Sequence, residues 1–437
     1  MKILARALAL FVSLASSALV AGPVQLKVEP EHSFILREES PEVCFRIDLT
    51  GAGLTQRRRV PLNLSIIIDR SGSMAGAKIE KAKQAAMLLV DQLTPDDFFS
   101  VVAYDSTVDV LCPSQHVEDK ESVRQMISRI RPLQGTALYA GLSAGAKELR
   151  KHYSTTRLNR AILLSDGLAN VGPSSPRDLR NLARELASES LSVTTIGVGD
   201  DYNEELMAGI AEASDANYYF VQDTEKLPSI FAKELHGLLN RVASEINIRI
   251  TLPKNVRPIG FIGRSETFDD NQATIRFNDL NESQSRYLVL RCRPLDLTKS
   301  QVPMINVHVD YRDNEGANQS VTESVQVRVT SDPAVAEKSL NKMVFAQKQL
   351  LLAAQARQEA IKLADAGNYR VARERLTARS QYLHENMENA PAELQSQFKA
   401  EIKNLNENAT SLEKNAYAPS QRKMLQQDAW NRSNAKQ

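Results

Sequence analysis

Leu62-Asn63-Leu64-Ser65-Ile66-Ile67-Ile68-Asp69-Arg70-Ser71-Gly72-Ser73, followed by Met74, Ala75 and Gly76, is the stretch on which the fold turns. Residues 62–68 are rich in leucine and isoleucine, the composition of a strand buried on both faces. The run stops at a carboxylate and two hydroxyls, and helical spacing begins at about Gly76. A buried strand that ends in a polar turn and feeds a helix is the opening unit of an open α/β sheet, whose ligands sit beyond the carboxyl ends of the strands. Asp69, Ser71 and Ser73 fall at that place. Alternate residues of an extended turn can face one concavity, so these three offer a carboxylate and two hydroxyl oxygens to a common point. Oxygen donors of that kind suit a hard cation.

Downstream the same texture repeats. Short β-branched runs at 98–104, 161–164, 192–198 and 218–221 alternate with helical spacing, as in Ile79, Ala82, Ala86, Leu89 and Leu93, which end at Thr94 and Pro95. The alternation predicts an α/β domain over 61–240, a mostly parallel sheet with helices on both faces. On either side the period changes to two: Val24, Leu26, Val28, Val43, Phe45, Ile47 and Leu49 before it, and Ile246, Ile248, Ile250, Ile305, Val307, Val309 and Tyr311 after it. These predict one β-sandwich, formed by 22–60 and 241–332, into which the α/β domain is inserted. Two separate β units are the alternative, and they would leave the short N-terminal strands without a sheet. Residues 333–417 read as a helical hairpin or bundle broken at Gly367 and Asn368 and restarted at Pro391. The polar 418–437, with its single Trp430, reads as a flexible tail.

Two further segments belong with the opening motif. Leu133-Gln134-Gly135-Thr136 offers a hydroxyl near a helix start, and Leu164-Ser165-Asp166-Gly167 offers a second carboxylate at a strand end. Together with Asp69, Ser71 and Ser73, this pattern resembles the von Willebrand factor A (VWA) domain and its metal-ion-dependent adhesion site, Asp-x-Ser-x-Ser with a distant Thr and a distant Asp. The segments Phe98-Phe99-Ser100-Val101-Val102, Thr195-Ile196-Gly197-Val198-Gly199 and Ala216-Asn217-Tyr218-Tyr219-Phe220 are similar to that family as well. The flanking sandwich more loosely resembles secreted bacterial proteins that carry the domain. The resemblance implies a Rossmann-like VWA fold and a metal site at Asp69, Ser71, Ser73, Thr136 and Asp166. It implies Mg2+ there, with Mn2+ or Ca2+ as alternatives, and a protein partner whose Asp or Glu completes the shell. Two carboxylates can neutralise a divalent ion while hydroxyls add no charge, so the metal keeps electrophilic character. Met74, Ala75 and Gly76 stand where relatives with an adjacent calcium site carry acids. The competing reading makes Ser71, Ser73 and Thr136 ordinary helix caps and Asp69 a strand-end residue. In that case the chain is a structural scaffold that recruits through its C-terminal helices. Asp96, Asp97, Asp105 and Asp109 read as solvated or capping groups.

Enzymatic chemistry finds no support in the sequence. A phosphatase using Asp69 as nucleophile would place an acid where Ser71 stands. His32, His116, His152, His236, His308 and His384 lie in no motif that supplies a base or a zinc site. A net charge of +1 over 437 residues gives no field for nucleic acid or an anionic membrane. Lys2 and Arg6, then an apolar run over 7–20 closing on small residues up to Ala21, follow the plan of a signal peptide over 1–21. A permanent anchor is the alternative. The expectation is export to the periplasm or beyond, with no membrane span after cleavage. Cys44, Cys112 and Cys292 are an odd set, and Cys44 and Cys292 alternate with residues of opposite character, which argues against a bridge.

Overall fold

The N-terminal alternation forms strands β1 (Val24–Pro30), β2 (Phe34–Leu36) and β3 (Val43–Gly51). The computed structural model describes residues 22–38, 41–53, 59–413 and 418–433, so the expected signal peptide lies outside the described residues. The chain then alternates through β4 (Leu62–Asp69), α1 (Ala77–Gln92), β5 (Phe98–Tyr104), β6 (Val108–His116), α2 (Lys120–Ser128), α3 (Leu138–Lys151), β7 (Leu158–Ser165), α4 (Pro176–Ser188), β8 (Ser192–Val198), α5 (Glu204–Ala213), β9 (Tyr218–Val221) and α6 (Leu227–Leu239). These strands make one sheet in the order β6-β5-β4-β7-β8-β9, parallel except where β6 runs against β5. The sequence pattern did not predict β6. It is an edge strand with much of its length exposed and Pro113 inside it, so it lacks a continuous apolar run.

β5 and β7 lie on opposite sides of β4, so the direction of winding switches at the carboxyl end of β4. Leu64, Ile66 and Ile68 face the core under α1, α2 and α6, while Ile67 faces the core under α3, α4 and α5. α3 lies unusually close to the sheet because it carries glycine on successive turns. A Cβ on Gly141 would meet the Tyr104 ring at 2.7 Å, and one on Gly145 would meet Ile67 at 2.4 Å. That approach fixes the chain entering α3, where Thr136 sits.

The later strands are β10 (Arg241–Thr251), β11 (Val256–Phe261), β12 (Gln272–Asn281), β13 (Ser285–Pro294), β14 (Gln301–Asp313) and β15 (Asn318–Thr330). They combine with the first three into two sheets, β1-β3-β13-β11 and β12-β10-β14-β15-β2. β3 pairs with β13 and β2 with β15, so strands from both sides of the α/β domain share one sandwich core, and the alternative of two separate units is excluded. In this register Val43 stands opposite Cys292 and Cys44 opposite Arg291. The two thiols therefore point to opposite faces, and all three cysteines are free and buried.

Helices α7 (Pro333–Lys338), α8 (Lys342–Asp365), α9 (Tyr369–Glu385) and α10 (Ala392–Glu413) follow, with Gly367 in the left-handed region (φ 79°) between α8 and α9. The described part of the expected flexible tail is instead a helix, α11 (Pro419–Ser433). Trp430 meets Tyr218 edge-on at 6.1 Å. The Gln427 side chain accepts from the Phe220 N–H at 2.6 Å and donates to the Tyr218 carbonyl at 3.1 Å, so it satisfies the backbone of the edge strand β9. Polar composition misled because these side chains have fixed partners instead of water: Arg422 reaches Glu204, Glu205 and Asp365, and Lys423 reaches Glu204.

Asp96 and Asp109 are exposed as expected, but Asp97 and Asp105 are buried, each capping a turn and paired with an arginine. Asp97 accepts from Arg59 at 2.8 and 2.5 Å, and from the Leu62 and Thr94 N–H groups, each at 2.8 Å. Burial pushes its carboxyl up, but the Arg59 guanidinium and the two N–H groups outweigh it and hold the group below its ordinary 3.8. A depressed carboxyl stabilises the fold above its unfolded value, and that contribution is lost as pH falls through the folded value. Asp97→Asn is therefore expected to lower stability at neutral pH and to flatten the loss of stability below about pH 4, by on the order of 1 kcal/mol. Guanidinium unfolding of both proteins at neutral and acid pH measures this. Parallel pH profiles would contradict it.

Candidate functional site

β4 delivers Asp69 to the centre of the sheet's carboxyl edge, level with Tyr104 of β5, and the Arg70 N–H donates to the Tyr104 carbonyl at 2.8 Å. The chain then turns through a short 3-10 segment, Gly72–Met74, whose Met74 is wholly buried and anchors the turn in the core. Ser71 and Ser73 are thrown to one side, with their hydroxyls 3.0 Å apart. Asp166 lies one residue past the end of β7, and Ser73 donates to its Oδ1 at 2.7 Å.

Thr136 arrives from 63 residues further on because its loop is strapped to two strand ends. The Leu133 N–H donates to the Arg70 carbonyl at 2.7 Å, the Ser106 N–H to the Gln134 carbonyl at 2.9 Å, and the Ala137 N–H to the Asp105 carbonyl at 2.6 Å. Beneath the loop Arg70 pairs with Asp105 at 2.6 Å and Asp109 at 2.5 Å. Asn170 accepts from the Thr136 N–H at 2.8 Å and fixes the loop from the β7 side.

The three hydroxyls meet beside Gly167. A Cβ on that glycine would stand 3.4 Å from Oγ1 of Thr136, 3.5 Å from Oγ of Ser73 and 3.7 Å from Oγ of Ser71. Any larger residue there would fill the space the hydroxyls surround. Thr136 is only 3% exposed, yet its hydroxyl makes no hydrogen bond to a described residue. Neither Ser71 nor Thr136 acts as a helix cap: Ser71 precedes the 3-10 turn without a side-chain capping bond, and α3 is capped by Ala137. All five residues singled out from the sequence are thus brought to one place.

Asp69 is completely buried. Its Oδ1 accepts from the Ser71 N–H at 2.8 Å, and its Oδ2 accepts from Ser165 at 2.6 Å and, more weakly, from the Tyr104 hydroxyl at 3.4 Å. Burial pushes its carboxyl above the ordinary value, although the hydrogen bonds from Ser165 and Ser71 act the other way; the Asp166 charge adds to the rise. A carboxylate whose ionisation burial opposes, as it does for Asp69, is what a bound cation would relieve. Among the described residues no three His, Cys, Asp or Glu side chains are grouped to hold a metal, so a cation here would depend on the hydroxyls.

Sequence reasoning missed Ser165, Tyr104 and Lys78. Ser165 and Tyr104 orient Asp69 from neighbouring strands, a relation that only strand register reveals. Lys78 donates to Oδ2 of Asp166 at 2.5 Å. The available signal was a lysine in the first turn of a helix, where the dipole disfavours it.

Residues 63–233 match the family model of the von Willebrand factor type A domain, and this part of the chain is a VWA domain. The uncharacterized protein sll0103 of Synechocystis is 28% identical over 299 residues, covering 66% of this chain and 68% of that protein. Inter-alpha-trypsin inhibitor heavy chain H4 of Homo sapiens is 27% identical over 202 residues, 44% of this chain but only 20% of that one. The solved structure described as von Willebrand factor type A from Catenulispora acidiphila superposes with a TM-score of 0.69 at 19% identity, covering 83% of this chain and 88% of that one, a likeness of fold that includes the regions outside the VWA domain.

Proposed function

We propose that the VWA domain holds a divalent cation on Asp69, Ser71, Ser73, Thr136 and Asp166, and that the cation binds an acidic side chain of a protein partner. Mg2+ fits best, since small hydroxyl-rich shells favour it, with Mn2+ or Ca2+ as alternatives. The observation that carries this reading is the meeting of three hydroxyls, two from the turn after β4 and one from the loop before α3, around the position a Gly167 side chain would take, beside two carboxylates. The cation would supply a Lewis-acidic centre. Asp69 and Asp166 would offset its charge, and the hydroxyls would orient it without neutralising it.

A binding role is favoured over catalysis. His116 and His152, the histidines nearest the motif in sequence, both pack on the ring of Phe98, at the opposite end of β5 from the residue level with Asp69. No base therefore stands beside the serines from that quarter. The heavy-chain relative is in keeping with protein interaction. We place the protein outside the cytoplasm on the pattern of residues 1–21. Among the described residues no helix is long and apolar enough to cross a membrane.

The reading is tested by titrating the purified chain with Mn2+ and following free ion by electron paramagnetic resonance, with Mg2+ in competition. One site per chain, displaced by Mg2+ and accompanied by a rise in melting temperature, is expected. Absence of any saturable site would overturn the reading.

A further inference from the structure

Lys78 occupies a position that its own helix does not favour. It lies in the first turn of α1, where the free N–H groups carry partial positive charge and acids are preferred. Its Nζ is 2.5 Å from Oδ2 of Asp166, the oxygen left over when Ser73 takes Oδ1. The Asp166 side chain is wholly buried and that of Lys78 is 25% exposed. The turn between β8 and α5 closes over the lysine arm: a Cβ on Gly199, which has φ 75°, would stand 3.3 Å from both Cε and Nζ. A side chain at 199 would crowd the end of the lysine arm and would itself be strained at that φ. The lysine is thus held in place by the site and by a turn shaped to admit it.

We infer that Lys78 is the resident counter-cation of this site, neutralising Asp166 when no divalent ion is held and weakening the affinity with which one is taken up. The inference rests on the metal reading above. Two effects act in the same direction. Without Lys78 the metal-free protein keeps two neighbouring buried carboxylates and no cation between them, which raises its free energy. The loaded protein, in turn, loses the repulsion between the ammonium and an ion that shares the same carboxylate. Both shifts favour loading. With Lys78 in place the two carboxylates and the lysine sum to one negative charge, so a divalent ion leaves the cluster net positive, and an acidic group of a partner is drawn to it.

The test uses the full chain and Mn2+ as the probe, with Lys78→Met and Lys78→Arg compared to the unmodified protein by titration and by the metal-induced shift in melting temperature. Lys78→Met is expected to bind Mn2+ on the order of tenfold more tightly, with a larger melting shift. Lys78→Arg, which keeps the charge, should stay close to the unmodified protein and shows that charge and not packing is responsible. Equal or weaker binding by Lys78→Met overturns the inference while leaving the metal site standing, and makes the lysine a support for Asp166. If no form binds Mn2+, both readings fall together.

Discussion

Asp69→Ala is expected to weaken divalent-ion binding by more than about 100-fold while leaving the fold of the metal-free protein in place. The two effects separate because Asp69 plays opposite parts in the two states. In the metal-free chain it is a buried carboxylate whose burial opposes ionisation, so its loss removes an unfavourable charge beside Asp166. Against that, the Ser71 N–H and the Ser165 hydroxyl lose their acceptor, at about 1–3 kcal/mol for each donor left unpaired. These terms largely offset, and circular dichroism and the metal-free melting temperature should change little. The loaded state has no such compensation, since the only wholly buried carboxylate at the end of β4 is gone. Ser165→Ala gives a graded control: it leaves every proposed ligand intact but removes the shorter of the two hydrogen bonds to Oδ2 of Asp69, and a weakening of roughly 10-fold is expected. Mn2+ titration of both variants measures the order. If Asp69→Ala binds as the unmodified chain does, the ion, wherever it sits, is not at the carboxyl edge of this sheet.

The parts of this arrangement that could be read from sequence are those that depend on neighbours in the chain. Leu62 to Asp69 announced both a buried strand and its polar end, and the period-two residues of β3, β10 and β14 announced strands that share a sandwich. Thr136 and Asp166 were legible because their segments resemble a family pattern, not because spacing places them; their meeting with Asp69 depends on straps such as the Leu133 N–H on the Arg70 carbonyl. What was missed shares a different cause. β6 is half exposed and takes its place by pairing with its hairpin neighbour β5, whereas α11 is polar and held by partners far away in the chain, Tyr218, Phe220 and Glu204. Composition records how polar a segment is but not whether its polar groups are paired. The same blindness left Asp97 and Asp105 as solvated or capping groups without distinction, when each caps a turn while buried against an arginine.

Glu401→Leu is expected to destabilise the chain by about 3–5 kcal/mol, and the double variant Arg357→Leu/Glu401→Leu to recover most of that loss. Arg357 of α8 and Glu401 of α10 are joined at 2.5 Å with both side chains essentially without exposure, in the middle of the helical layer. Among the described residues Nε and Nη2 of Arg357 find no acceptor, so there the guanidinium pays for its burial with a single partner. Removing the carboxylate strands a full charge in an apolar setting built from Leu350, Ala353, Ala360 and Phe398. Removing both charges leaves shapes that can pack against the same neighbours. Urea unfolding of the two variants and the unmodified chain decides the matter, and a single variant within about 1 kcal/mol of the unmodified chain would show that water or rearrangement relieves the arginine. The double variant is also the control for separating the two functional readings. Its helices keep their packing but lose their internal charges, while the hydroxyl cluster on β4 is untouched, so a partner that binds through the cation should be retained by it and lost by Asp69→Ala. A partner recruited by the helical layer should show the reverse once that layer is loosened by Glu401→Leu alone.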